Sequence, residues 1–485
     1  MALNFSDRPL FAGLGRPVRA ELDIRDCEVE GTIPDALNGT LYRVGPDFQY
    51  PPRVDNDIPL DGDGHVAMFR FANGHVDLKT RFVQTQRFKA QAQARTALFG
   101  TYRNRSTDLP EVAALSRGTG NTHVVFHAGK LYALKEDSPP VLLDPNTLQT
   151  LDDYWTFNGK LSSLTFTAHP KIDPVNGEMI AFGYEAKGDA SNDVAVYGID
   201  PRGNINWEAW IKVPYAGMLH DFAVTQTHVV FFVIPLIVSV EQLKRGGQHF
   251  AWDSQLPSWF GVMRRGGDGK DLRWFKGPER NAIHVMGAFS DGERVFVDMD
   301  SGIKNSFAFF PHLHGEHFDA TLAQRRVTRL SVDLSRNSET YAAETLHPDF
   351  GTLPRIDERY QTLAYRYGFM PVVDMTRGES EKSLANLGLN SIKRFDHATR
   401  NTTSYYAGPH STVEEPLFVP RREGAAEADG YMLAVVHRTA ENRSDLVVVD
   451  TQLMAEGPVA TVRLPLRINV GIHGSWVGSD VLPVN

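Results

Sequence analysis

Apolar residues along this chain gather in short runs of roughly four to eight, broken by Asp, Asn, Pro or Gly and resumed on the far side, the signature of a β-hairpin. The segments GKLYALKEDSPPVLLDPNTLQTL, AVYGIDPRGNINWEAWIKV, RVTRLSVDLSRNSETYAAETL, NSIKRFDHATRNTTSYYAG and DLVVVDTQLMAEGPVATVRL carry it at sites spread from residue 129 to residue 464. HVAMFRFANGHVDLKTRFVQ and GERVFVDMDSG add further copies. Long stretches of helical spacing are scarce, and 41 Gly and 28 Pro supply frequent turns, so the expected class is all-β. Repetition of one unit with no linker between copies predicts a β-propeller built by residues 1–485 as a single domain, because radial packing of small blades protects strand edges. It also brings residues far apart in sequence to a common axis. The longest apolar run, Val229 to Val240, is interrupted by Pro235 and falls short of the roughly 20 residues a membrane helix needs. One or two buried strands are expected there, and no stable membrane insertion. Arg421 to Asp429, charged and rich in Ala, is expected as a surface loop.

Composition narrows the function classes. Hydrophobic residues make up 42% of the 485 and charged residues 22%, the balance of a packed globular chain. Fifty Lys and Arg against 59 Asp and Glu give a net charge of -9, with no basic run to follow a phosphate backbone, so nucleic acid is not an expected partner. The lone cysteine, Cys27, cannot form an internal disulfide and reads as a small buried apolar group. The start, MALNFSDRPLF, lacks the basic and apolar stretches of a secretion signal, so a cytoplasmic location is expected.

Common catalytic signatures are missing: there is no GxSxG elbow and no HExxH helix. Gly13-Leu14-Gly15 and GGDGK at 266–270 read as turns rather than nucleotide loops. The chemistry therefore rests on the 17 histidines. Four stand at or near the edge of apolar runs: His169 in LTFTAHPKID, His220 in AGMLHDFAVT, His284 in NAIHVMGAF and His473 in VGIHGSWVG. Their spacing is too long for a local metal loop but suits inner strands of different blades, and imidazole suits iron, copper, zinc or nickel equally. His312, His314 and His317, with Glu316 among them, form a rival local cluster that reads as a loop near the surface.

Five ordered motifs carry a more specific signal: GTIPDALNGTLYRVGPDF at 31–48, DGDGHVAMFRF at 61–71, TAHPKIDPVNGEM at 167–179, MLHDFAVT at 218–225 and GIHGSWV at 471–477. Together they resemble the carotenoid cleavage oxygenase family over nearly the whole chain. The resemblance implies a seven-bladed propeller with a short helical or loop cap over an axial metal site. Four histidines there, matching His169, His220, His284 and His473, hold one iron(II) and leave room for dioxygen as co-substrate. It implies that Glu136 and Glu415 hydrogen-bond the outer nitrogens of ligand histidines. Thr352, in GTLPRID, stands where many relatives carry a third Glu, which leaves that contact in question.

FGTYRNR at 99–105 and ALKED at 133–137 resemble the stilbene-cleaving branch most closely. By that likeness Tyr102 and Lys135 recognise a phenol, Thr122 crowds the open metal position, and Leu60 with Pro59 replaces an aromatic ring that often stacks on the substrate. The implied reaction joins dioxygen to the central double bond of a 4-hydroxystilbene and yields two aromatic aldehydes such as vanillin, the substrate being a small aromatic olefin. The branch also makes a homodimer an open expectation. Three alternatives stay open: an apocarotenoid substrate, a propeller hydrolase with oxygen ligands around calcium, and a binding propeller without catalysis.

Overall fold

In a computed structural model that describes residues 4, 5, 8–378 and 387–482, the hairpins form the seven blades of a propeller. Four blades follow the chain without crossing, each an antiparallel sheet of four strands in sequence order; these start at Lys171–Ile172, Asn281–Asp291, Arg355–Ile356 and His123–His127. A fifth, beginning at Phe222–Val224, has a two-stranded ribbon, Leu236–Ile237 with Ala251–Trp252, inserted between its second and third strands. The other two sheets combine the two ends of the described chain. Strand His473–Gly478 pairs with Gly39–Asp47, Val44 opposite His473, and Glu28–Gly31 pairs with Ala460–Arg463. This closure ties the ring without leaving an open edge.

Aromatic and β-branched side chains pack between neighbouring blades. Phe182 of one blade meets Phe222 of the next with ring centroids 4.7 Å apart. The run from Val229 is strand, as expected: His228–Val233 is buried throughout and Leu236–Ile237 follows. Among the described residues no helix is long and apolar enough to cross a membrane. Residues 421–429 connect strands Leu417–Pro420 and Gly430–Arg438, as expected of a loop.

The cap is made of loops more than helices. Gln86–Ala94, capped by the Thr85 side chain on the Phe88 amide, docks through Arg87, whose guanidinium grips the Asp61 carboxylate at 3.0 and 2.7 Å. That pair fixes the turn Pro59–Asp61, which carries Leu60 into the cavity described below.

Candidate metal centre and substrate cavity

Each of the four histidines sits at the inner edge of its blade. His169 stands one residue short of strand Lys171–Ile172, with Pro170 between, His220 stands one residue short of Phe222–Val224, with Asp221 between, and His473 opens its strand. His284 lies inside Asn281–Asp291, where the register with the neighbouring strand shifts between Ala282 and Val285. That bulge turns the His284 ring to the axis. One ligand atom from each of the four lies within 4.8 Å of the others. His169 Nε2 and His284 Nε2 stand 3.0 and 3.2 Å from His220 Nε2.

The opposite ring nitrogens are held from outside. Glu136 Oε1 lies 2.5 Å from His220 Nδ1, and Glu415 Oε1 lies 2.7 Å from His473 Nδ1, so each imidazole donates outward and keeps its Nε2 lone pair facing inward. Burial raises the Glu136 carboxyl, but His220, Lys135 and Arg103 outweigh it and bring it to about 2, so it accepts as a carboxylate. Arg43, from strand Gly39–Asp47, reaches both Glu414 at 2.8 Å and Glu415 at 3.3 Å and locks the second acid in place. Burial, reinforced by the neighbouring imidazoles, holds His169 and His473 well below the ordinary histidine range. Among the described residues His473 Nε2 is buried without a hydrogen-bond partner. Neutral imidazoles with converging lone pairs, one of them orphaned, fit a transition-metal ion.

The contact left in question at Thr352 is filled by a residue that the motifs do not mark. Asp300 Oδ2 lies 3.2 Å from His284 Nδ1 and accepts the Thr352 hydroxyl at 2.5 Å, while Oδ1 accepts the Ile283 and His284 amides across the bulge at 3.2 and 2.8 Å. Thr352 Oγ1 is itself 3.2 Å from His284 Nδ1. The signal was a run of acids, Asp298 and Asp300, inside an otherwise apolar strand. His123 also escaped notice: its Nδ1 and Nε2 lie 2.8 and 3.1 Å from the Ala168 and Gly474 carbonyls, tying together the backbone beside two ligands. His314 pairs instead with Asp253 at 2.7 Å in an exposed loop with His317, and His312 faces Asn305, all apart from the centre.

His220 and His284 form part of the wall of a cavity of about 860 Å³. Leu60, Tyr102, Thr122, Lys135 and Glu136 line it beside them, with Met218, Ile283, Phe307 and Phe309 supplying apolar surface. The Lys135 ammonium stands 4.6 Å from the Tyr102 ring centroid and donates one long bond, 3.4 Å, to the Leu60 carbonyl. The Thr122 hydroxyl donates to Asn121 at 2.9 Å, and Asn121 in turn holds the Leu60 carbonyl at 2.9 Å. Burial, reinforced by the Glu136 charge, pushes the Tyr102 hydroxyl well above its ordinary range, so it stays a neutral O–H. The structure thus brings Leu60, Tyr102, Thr122, Lys135 and Glu136 to one cavity beside the four histidines, with Glu415 behind His473, and leaves the rival cluster at 312–317 outside it.

Over residues 15–478 the chain matches the family described as retinal pigment epithelial membrane protein, RPE65. It is 43% identical to lignostilbene-α,β-dioxygenase isozyme III of Sphingomonas paucimobilis, across 99% of both chains. Resveratrol cleavage oxygenase 1 of Aspergillus fumigatus is 40% identical, with 99% of this chain and 98% of that one aligned. Isoeugenol monooxygenase of Pseudomonas nitroreducens is also 40% identical, across 98% of this chain and 99% of that one. The crystal structure of Pseudomonas brassicacearum lignostilbene dioxygenase superposes with a TM-score of 0.94 at 40% identity, covering 99% of this chain and 100% of that one. The chain belongs to the RPE65/carotenoid oxygenase family. Within it, the protein is an oxygenase that cleaves carbon–carbon double bonds.

Proposed function

We propose that this oxygenase cleaves the central double bond of a 4-hydroxystilbene, consuming one dioxygen and releasing two aromatic aldehydes, with iron(II) held by His169, His220, His284 and His473. The observation that carries the reading is Lys135 over Tyr102 in the cavity wall, beside Glu136 and its bond to His220. Iron bound to four neutral imidazoles would supply the site where dioxygen is activated. The protein's own residues act on the olefin. Lys135 and the neutral Tyr102 hydroxyl are both donors, and together they suit a phenolate oxygen better than a phenol. The phenol proton passes to solvent or a neighbouring acceptor as the substrate seats, and the ammonium holds the resulting charge. Electron density then moves through the ring into the vinyl group, which readies it for attack. Thr122 and Leu60 limit where the olefin lies, and the apolar wall excludes water around it.

The relatives named for stilbenes, resveratrol and isoeugenol have phenolic substrates in common by those names, whereas a carotenoid offers no phenol to Lys135. Replacing Lys135 with Met is expected to lower turnover of a 4-hydroxystilbene by roughly 100-fold or more with metal content unchanged, the scale of losing a charge-assisted contact that acts in the rate-limiting step. Equal turnover by the variant, or full activity on the 4-methoxy compound, would sink the reading.

A further inference from the structure

The cavity, at about 860 Å³, is far larger than one phenol needs, and Lys135 is not the only cation in its wall. Four Lys and Arg side chains line it among the described residues: Lys135, Arg325, Arg326 and Lys393. Arg326 is spent on the Pro348 carbonyl at 3.0 Å and the Gln324 side chain at 2.8 Å, and Lys393 is paired with Asp349. Arg325 differs. It is 5% exposed, yet among the described residues its guanidinium makes no hydrogen bond, and Nε and Nη1 are buried without a partner. Among the described residues its only ion pair is Asp300, at 3.8 Å. Asp300 cannot come closer to it as an acceptor, because its two oxygens already serve the Ile283 and His284 amides, Thr352 and the His284 ring.

A buried guanidinium with unmade bonds is costly, and Nη2 is the nitrogen of this one that the protein does not enclose, on a side chain that lines the cavity. Among the described residues the carboxylates that share the cavity are already engaged: Glu136 with His220, Glu414 with Arg43, Asp349 with Lys393 and Asp374 with the Thr376 amide and hydroxyl. Of the four cations, Lys135 and Arg325 are therefore the two that are buried with no carboxylate at hydrogen-bond distance among the described residues. They stand by different histidines: Lys135 adjoins Glu136, which holds His220, and Arg325 lies by Asp300, which holds His284. An olefin lying across those two imidazoles has one ring toward each cation.

We propose that Arg325 recognises a carboxylate on the substrate ring remote from the phenol, so that the preferred substrates are stilbene carboxylates. This rests on the stilbene reading above. Planar guanidinium and carboxylate match in geometry, and removal from water strengthens the pair.

The test is a fluorescence binding titration of the anaerobic ferrous protein, in which no turnover occurs, with trans-4-hydroxystilbene, its 4′- and 3′-carboxylates and the 4′-methyl ester, followed by kcat/KM in air. The wild type is expected to bind at least one carboxylate roughly tenfold or more tightly than the uncharged compound and the ester, the scale of one charge-assisted contact. Arg325→Met should abolish that ratio and Arg325→Lys should keep part of it. Iron content and affinity for the uncharged compound report whether the variant still folds. If 4-hydroxystilbene is bound and cleaved but neither carboxylate is preferred, or if R325M keeps the wild-type ratio, this proposal fails while the stilbene reading stands. If no stilbene is bound or cleaved, both fail.

Discussion

Three of the four ligand histidines present their outer nitrogen to a carboxylate, and the way the third does so separates this centre from its motif pattern. Thr352 is too short to carry the charge, so Asp300 supplies it from the neighbouring strand, and Thr352 bridges the two. Losing such an outer contact typically costs about 10–100-fold in metal affinity. Asp300→Asn is therefore expected to lower iron retained against a chelator by that factor, and Thr352→Val by less, because Asp300 keeps its own contact with His284; equal retention in both variants and the wild type would contradict the role. The ligands and Glu136, Glu415, Lys135 and Tyr102 were legible because motif residues flank them. Asp300 was not, since an acid buried in a strand looks in sequence like one at its exposed edge. A second buried acid sets a pH dependence. Burial raises Glu185, but His249 and Arg103, at 2.9 and 2.6 Å, outweigh it and bring it to about 2 from the ordinary 4.5. A lowered carboxylate stabilises the fold fully above about pH 4.5, and that contribution is lost as pH falls toward 2. Thermal unfolding followed between pH 5 and pH 3 should show a steeper decline for the wild type than for Glu185→Gln.

At the scale of elements, the metal centre depends on how closely inner strands approach one another. Gly45 shows the limit: a Cβ there would stand 1.8 Å from the Val470 carbonyl oxygen, in the segment leading to His473. Gly45→Ala must push the closing strand away from Gly39–Asp47, so a fall in Tm of several degrees is expected together with lower iron content. An unchanged melting curve would mean the ring closes without that contact. The hairpins were readable because alternation and turn residues act locally. The closure was not, because His473–Gly478 pairs with a strand more than four hundred residues earlier and no turn chemistry announces it. The loop cap was legible only through the resemblance, because segments 306–309, 320–326 and 348–353 that line the cavity have no strong period of their own.

The molecule as a whole reads as a closed ring that gathers four histidines at its axis beside a large, mainly apolar cavity, which on the proposed reading takes an elongated aromatic olefin. The ring supplies four imidazoles from four blades, and the cavity beside them supplies the donors Lys135 and Tyr102 that the proposed reading assigns to a phenolate. The substrate could be approached from sequence only through the resemblance, since neither spacing nor composition distinguishes a phenol-binding lysine from a solvated one. The most direct test is to purify the protein without oxygen, measure its iron, and follow oxygen uptake and aldehyde formation with a 4-hydroxystilbene after ferrous reconstitution. About one iron per chain, with one oxygen consumed for each pair of aldehydes, is the result the four-histidine site and the phenolate donors predict. Stoichiometric iron with no aldehyde from any phenolic stilbene would contradict the substrate assignment, and absence of stoichiometric iron after reconstitution would contradict the metal centre itself.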